Sequence, residues 1–220
     1  MTFSKVMSKY NIKEIGSSNI YIIEDAFDQK ICNDLIEYIN KSELEYLTFS
    51  DTNNVQCYNV RNIEVNDMNT NIRNKTEELL MEITKYNNRI KVIGQTMFEL
   101  RKVYGETRLH QDGIFDIPIE IQENIKIKSV RSLTLVITLN DDYEGGLYMF
   151  PNQNITIKPK RGTAILFPPY YTHVHSVSRI ETGKFRYICS SWGLDEFVKK
   201  NDTKDINEKV LWKYKNFVIE

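Results

Sequence analysis

With 220 residues, of which 41% are hydrophobic, 27% charged and 11% aromatic, the chain has the composition of an ordinary globular protein with one sizeable core. A formal net charge of −1 excludes a global electrostatic pull toward nucleic acid or anionic membrane, and no stretch has the roughly 18 apolar residues that a membrane span needs. Cys32, Cys57 and Cys189 are odd in number and widely spaced, with no CxxC, which argues against a disulfide framework or a zinc–cysteine site and fits a reducing, cytoplasmic setting.

In chain order, NIYIIEDAF (19–27) reads as a short strand running into a turn. Asp28 is placed to cap a helix over QKICNDLIEYINKS, where Ile31, Leu35, Ile36 and Ile39 recur at helical spacing. Residues 45–62 alternate weakly around Asn53-Asn54, the pattern of a hairpin or loop. A second helix is predicted over 67–86, with Ile72, Thr76, Leu79, Leu80 and Ile83 as its apolar stripe. From about residue 90 strand formers dominate. VIGQTMFELRKVYGETRLHQDG is followed by a mixed loop over 114–129 containing Pro118. Short strands then recur about every ten residues between turns at DDYEGG, NQN and KRG. This spacing predicts an antiparallel sandwich or barrel, so the fold class is mostly β with flanking helices (α+β). The tail after Gly193 is charged and partly amphipathic, and a terminal helix is expected around 205–215. The whole is read as a single domain: helical support over about 1–90, a β core over about 91–193 and a tail over 194–220.

The chain has three histidines, and all of them fall in two short stretches, His110 in LHQDG and His173 and His175 in YTHVHSV. His-x-Asp in one strand with a histidine from a distant strand is the ligand set of a two-histidine, one-carboxylate triad, which holds non-haem Fe(II) and leaves one face open. If side chains alternate along the strand, His110 and Asp112 project from the same face. By the same parity His173 and His175 share a face, so parity does not choose between them.

The ordered series HQD, RSLTLVITLNDDYEGGLYMFP, KPKRGTAILFPP and HVHSVSRIETGKFRY resembles the 2-oxoglutarate/Fe(II)-dependent dioxygenases, in particular their prolyl 4-hydroxylase-like branch, over roughly residues 94–193. The resemblance implies a double-stranded β-helix (a jelly roll) with iron between its sheets, held by His110, Asp112 and a distal histidine. It favours His175 for that position, since Val177 follows two residues on and Gly183 eight on. It implies 2-oxoglutarate as cosubstrate and O2 as oxidant, with ascorbate as a candidate auxiliary reductant. The basic residue expected to hold the far carboxylate is Arg186, eleven residues past His175 rather than the ten typical of relatives, with Lys184 as the lesser candidate. Tyr104 and Thr138 are the further residues expected to reach the cosubstrate. Retention of Asp112 argues against a halogenase-type site, which gives up its carboxylate to chloride.

The function these features imply is hydroxylation of a C–H bond, with a prolyl or other residue of a protein or peptide as the leading substrate. A small molecule or free amino acid is the alternative within the same chemistry. Nucleic acid is disfavoured by the near-neutral charge. A non-catalytic jelly-roll binding protein is the reading outside enzymology. The substrate itself and the oligomeric state are not written in any motif.

Overall fold

The run Leu133 to Leu139 is apolar except at Thr134 and Thr138, and its alternation assigns two different jobs to the two faces of one strand. In the computed structural model Leu133, Leu135, Ile137 and Leu139 pack toward the helices, whereas Val136 packs toward a second sheet. A strand buried on both faces reads as a nearly continuous apolar run, which is why this one dominates the core. The structure describes residues 8–47, 56–113, 117–122, 125–181 and 184–197.

The elements in chain order begin with β1 (Ile12–Glu14), β2 (Tyr21–Ile23), α1 (Gln29–Lys41), β3 (Leu44–Tyr46), β4 (Gln56–Val60) and α2 (Asp67–Tyr86). There follow β5 (Gly94–Gln95), β6 (Glu99–Tyr104), β7 (Thr107–His110), β8 (Ile117–Gln122) and β9 (Ile125–Thr138). The last are β10 (Tyr148–Phe150), β11 (Ile155–Ile157), β12 (Ala164–Phe167), β13 (His175–Val177) and β14 (Arg186–Phe197). Among the described residues the strands form two antiparallel sheets. The major one runs β1-β2-β12-β9-β14-β6-β4-β3, with β5 also on β14 and β8 also on β9; the minor one runs β11-β10-β13-β7.

Both predicted helices are present. The Asp28 carboxylate accepts the N–H of Ile31, satisfying one of the donors that a helix start leaves orphaned, and Asn66 does the same for α2 through Asn69. Cys32, Leu35 and Ile39 of α1 and Ile72, Leu79, Leu80 and Ile83 of α2 bury against the outer face of the major sheet. The second apolar cluster lies between the sheets and joins Val103, Val136 and Ile188 to Tyr148, Phe150 and Val177. The expected strand around 19–27 is β2, and the weakly alternating 45–62 region contains the antiparallel pair β3 and β4, with Asn53-Asn54 outside the described residues. The expected terminal helix also lies outside them.

The region expected to be a loop, 114–129, is different. It holds β8 and the first residues of β9, paired from Ile117↔Ser129 to Gln122↔Ile125. Pro118 suggested a loop, but among the described residues β8 has a single hydrogen-bonded neighbour, and an edge strand tolerates a residue that cannot donate.

Gly162, in the predicted KRG turn, has a backbone that other residues adopt at a cost. Gly162 has φ +77° and donates to the Thr138 carbonyl at 2.8 Å, and a Cβ there would stand 2.2 Å from the carbonyl oxygen of Phe27. That contact docks the chain entering α1 onto the turn before β12. Gly162→Ala is therefore expected to lower the melting temperature by several degrees, reflecting a loss of about 1–3 kcal/mol. An unchanged thermal transition would show that the contact relaxes freely.

Candidate metal centre

His110 ends β7 and His175 begins β13, and the two are direct partners in the minor sheet. Their ring centroids are 4.3 Å apart. Each ring is oriented by its own backbone: Nδ1 of His110 donates to the Arg108 carbonyl at 2.8 Å, and Nδ1 of His175 to the His173 carbonyl at 3.1 Å. A carbonyl only accepts, so both protons sit on Nδ1 and both Nε2 lone pairs are left to coordinate. His175 is buried against Phe150 and Phe167, with centroids at 5.6 and 4.6 Å. Desolvation in this apolar setting pushes its pKa down to about 4, against the pull of Asp112, so it is a neutral imidazole at pH 7.

Asp112 reaches the same point by another route. β7 stops at His110, so Asp112 lies beyond the ladder, and strand alternation is not what aims it. Its Oδ1 is 3.7 Å from His110 Nε2, and the ligand atoms of His110, Asp112 and His175 all lie within 4.8 Å of one another. Two imidazole nitrogens and a carboxylate oxygen at that spacing suit a first-row divalent metal.

His173 is turned elsewhere. It closes a 3-10 turn (Tyr171–His173) rather than lying in β13, and its Nε2 donates to the Ser18 carbonyl at 2.7 Å. The expectation that His173 and His175 share a strand face therefore does not hold, because a turn intervenes.

The triad opens onto a cavity of about 390 Å3 between the sheets. Its floor is the inward-facing row of the major sheet, in which Val103 pairs with Arg186, Arg101 with Ile188 and Glu99 with Ser190. Arg186 is 3% exposed, and its Nε and Nη1 have no hydrogen-bond partner among the described residues. Its guanidinium lies 5.2 Å from the centre of the Tyr148 ring, and burial raises the Tyr148 phenol even with this cation beside it. Lys184 is not in the cavity, since its Nζ is paired at the surface with Asp142 at 2.9 Å.

Tyr104 corrects another expectation. Glu99, Arg101 and Val103 line the cavity, so the alternation of β6 sends Tyr104 to the opposite face, where it packs on Phe185 at 5.9 Å. Thr138 shares the face of Thr134 and Val136 on β9 and is opposite Ile188 of the floor, but it lies beyond the lining residues. Its hydroxyl is buried without a partner among the described residues.

Several lining residues carried no motif. Trp192 lines the cavity, with the Arg131 guanidinium 3.7 Å from the centre of its ring. Arg101 pairs with Glu99 on the floor. Thr134 donates to Asp112, and the available signal was there: Thr134 and Thr138 are the two polar breaks in an apolar strand, four residues apart and hence on one face.

Two facing antiparallel sheets with a two-histidine, one-carboxylate cluster beside the cavity have the arrangement of a candidate mononuclear metal centre on a double-stranded β-helix. Comparison with known proteins agrees with that arrangement. The family model of the 2OG-Fe(II) oxygenase superfamily matches residues 100–193. A protein of Acanthamoeba polyphaga mimivirus assigned as a prolyl 4-hydroxylase is 30% identical over 91 residues, covering 38% of this chain and 37% of the relative. A PKHD-type hydroxylase of Prochlorococcus marinus is 32% identical over 80 residues, covering 36% of this chain and 34% of the relative. The chain thus spans little more than a third of the length of these relatives. Among solved structures, a viral collagen prolyl hydroxylase from Paramecium Bursaria Chlorella virus-1 superimposes with a TM-score of 0.56 at 21% identity, over 83% of this chain and 98% of that one. A prolyl hydroxylase from Trichoplax adhaerens, solved with a peptide fragment, superimposes with a TM-score of 0.61 at 15% identity, over 87% and 89%. At such identities these likenesses show the fold, a double-stranded β-helix. No helix among the described residues is long and apolar enough to cross a membrane.

Proposed function

We propose that the protein is an Fe(II)- and 2-oxoglutarate-dependent dioxygenase that hydroxylates a C–H bond, with a prolyl or other residue of a protein or peptide as its substrate. The observation that carries this reading is the guanidinium of Arg186, buried in the same cavity as the triad, whose Nε and Nη1 have no hydrogen-bond partner among the described residues. A buried cation without a counter-ion is costly, and the cost is relieved by an anion that enters the cavity. A dicarboxylate with a keto group next to one carboxylate suits both ends of this space. His110, Asp112 and His175 would hold the metal, and Arg186 would grip the distant carboxylate through its planar fork. The Thr138 hydroxyl, buried and unpartnered nearby, is a candidate second donor. When bound, the metal and cosubstrate supply the oxidising chemistry, with conversion of 2-oxoglutarate to succinate and CO2. The protein's part is to keep the His175 imidazole neutral against Phe150 and Phe167 and to hold the cosubstrate at its far end.

The peptide substrate is supported by the prolyl hydroxylases among the relatives and, more directly, by the solved Trichoplax complex with a peptide. A cytoplasmic setting is supported by the three cysteines, all unbridged. The test is incubation with Fe(II), 2-oxoglutarate and O2, with and without proline-containing peptides or free proline, read as succinate formed and as a one-oxygen mass gain. Peptide-stimulated succinate with the mass gain on peptide is the expected result. Oxygen gained only by free proline would move the substrate to a small molecule. No succinate under any condition from folded, metal-loaded protein would overturn the enzymatic reading.

A further inference from the structure

Asp112 is the triad member that no strand holds, yet its carboxylate is not left to rotate. β7 ends two residues before it, and the following Gly113 turns with φ +75°, its N–H donating to the Pro169 carbonyl at 3.2 Å. Two contacts from β9 fix the residue between them. Nη1 of Arg131 donates to the Asp112 main-chain oxygen at 3.0 Å. The Thr134 hydroxyl donates to the carboxylate Oδ2 at 2.6 Å, the length of a charge-assisted bond. The other oxygen, Oδ1, remains on the side of His110 Nε2, at 3.7 Å. The donor is itself rigid. Thr134 is 1% exposed and pairs with Phe167 on one side and Trp192 on the other, in the middle of the major sheet.

Given the metal reading proposed above, we infer that Thr134 is a positioning residue that makes Asp112 a single-oxygen ligand. By occupying Oδ2, the hydroxyl removes that oxygen from competition for the metal. It also holds the carboxylate plane so that Oδ1 meets the lone pairs of the two imidazoles. A carboxylate freed from this bond can swing or chelate through both oxygens, and chelation fills a position that the cosubstrate needs. Partners that orient a ligand in this way typically govern metal affinity by about 10- to 100-fold.

The test compares Co(II) and Fe(II) binding to the full chain and to Thr134→Val, Thr134→Ser and Asp112→Ala, by chelator competition and by the visible ligand-field spectrum of the Co(II) form. Valine keeps the shape and removes the hydroxyl; serine keeps the hydroxyl. The expected result for Thr134→Val is a dissociation constant raised about 10- to 100-fold and an altered Co(II) spectrum. Thr134→Ser is expected to restore both, at unchanged helix and sheet content by circular dichroism. Should valine fail to fold, Thr134→Ala against Thr134→Ser isolates the same hydroxyl. If Thr134→Val binds and absorbs like the original while Asp112→Ala loses the metal, the positioning role is wrong and the metal centre stands. If Asp112→Ala also binds unchanged, the metal centre is wrong and this role falls with it.

Discussion

Replacing His175 by alanine is expected to abolish measurable Fe(II) binding, and replacing His173, two residues earlier, is expected to leave it intact. The contrast follows from what each ring touches. His175 has its Nδ1 proton engaged by a carbonyl and its Nε2 beside His110 and Asp112, so its removal deletes one of three donors. That loss should exceed the about 10- to 100-fold effect of altering a ligand's supporting partner. His173 spends its Nε2 on the Ser18 carbonyl, tying the 3-10 turn to the loop between β1 and β2. His173→Ala leaves that half-buried carbonyl without its donor, for a cost of about 1 kcal/mol and a lower melting temperature. Equilibrium dialysis against Fe(II) beside a thermal melt separates the two effects. Metal lost from His173→Ala but kept by His175→Ala would reverse the assignment.

The second large effect belongs to Arg186. Arg186→Gln should raise the dissociation constant for 2-oxoglutarate by at least about 30-fold, because truncating one partner of a buried, hydrogen-bonded charge pair costs roughly 2–5 kcal/mol. The sign in the absence of cosubstrate is the opposite of that usual for a core substitution. Two of the guanidinium's nitrogens are buried and unsatisfied in the folded chain, so a neutral side chain there should cost no stability and is expected to leave the melting temperature equal or higher. Saturating 2-oxoglutarate with metal should raise the melting temperature of the original protein, since a ligand that binds only the folded state stabilises it. The Arg186→Gln protein should lack that rise. Lys184→Ala serves as the control: its exposed pair with Asp142 contributes at most about 1 kcal/mol and lies outside the cavity. Loss of the ligand-induced shift in Lys184→Ala with its retention in Arg186→Gln would move the anchor to Lys184.

Both predictions depend on distinctions invisible in the chain of letters. By itself, the sequence determined the elements whose signals are local. Asp28 caps α1 because a short polar side chain can reach an N–H three residues on, and the stripes of α1 and α2 repeat at the period of the helix they bury. The glycines of the turns carry positive φ because those turns need it. With three histidines confined to two stretches, His110, Asp112 and a distal histidine were a short list before any coordinates. Tertiary structure decided the rest, because it depends on where strands stop and which of their faces turns inward. Parity was applied to Asp112 and His173, which lie outside the ladders of β7 and β13 and are aimed by hydrogen bonds from distant segments. Tyr104 was expected in the cavity, but a one-residue alternation on β6 put Arg101 and Val103 there instead. Pro118 suggested a loop where the edge of a sheet accommodates it. The vacant bonds of Arg186 and the grip of Thr134 on Asp112 arise between residues far apart in the chain, and only the packing of two sheets brings such groups within bonding distance.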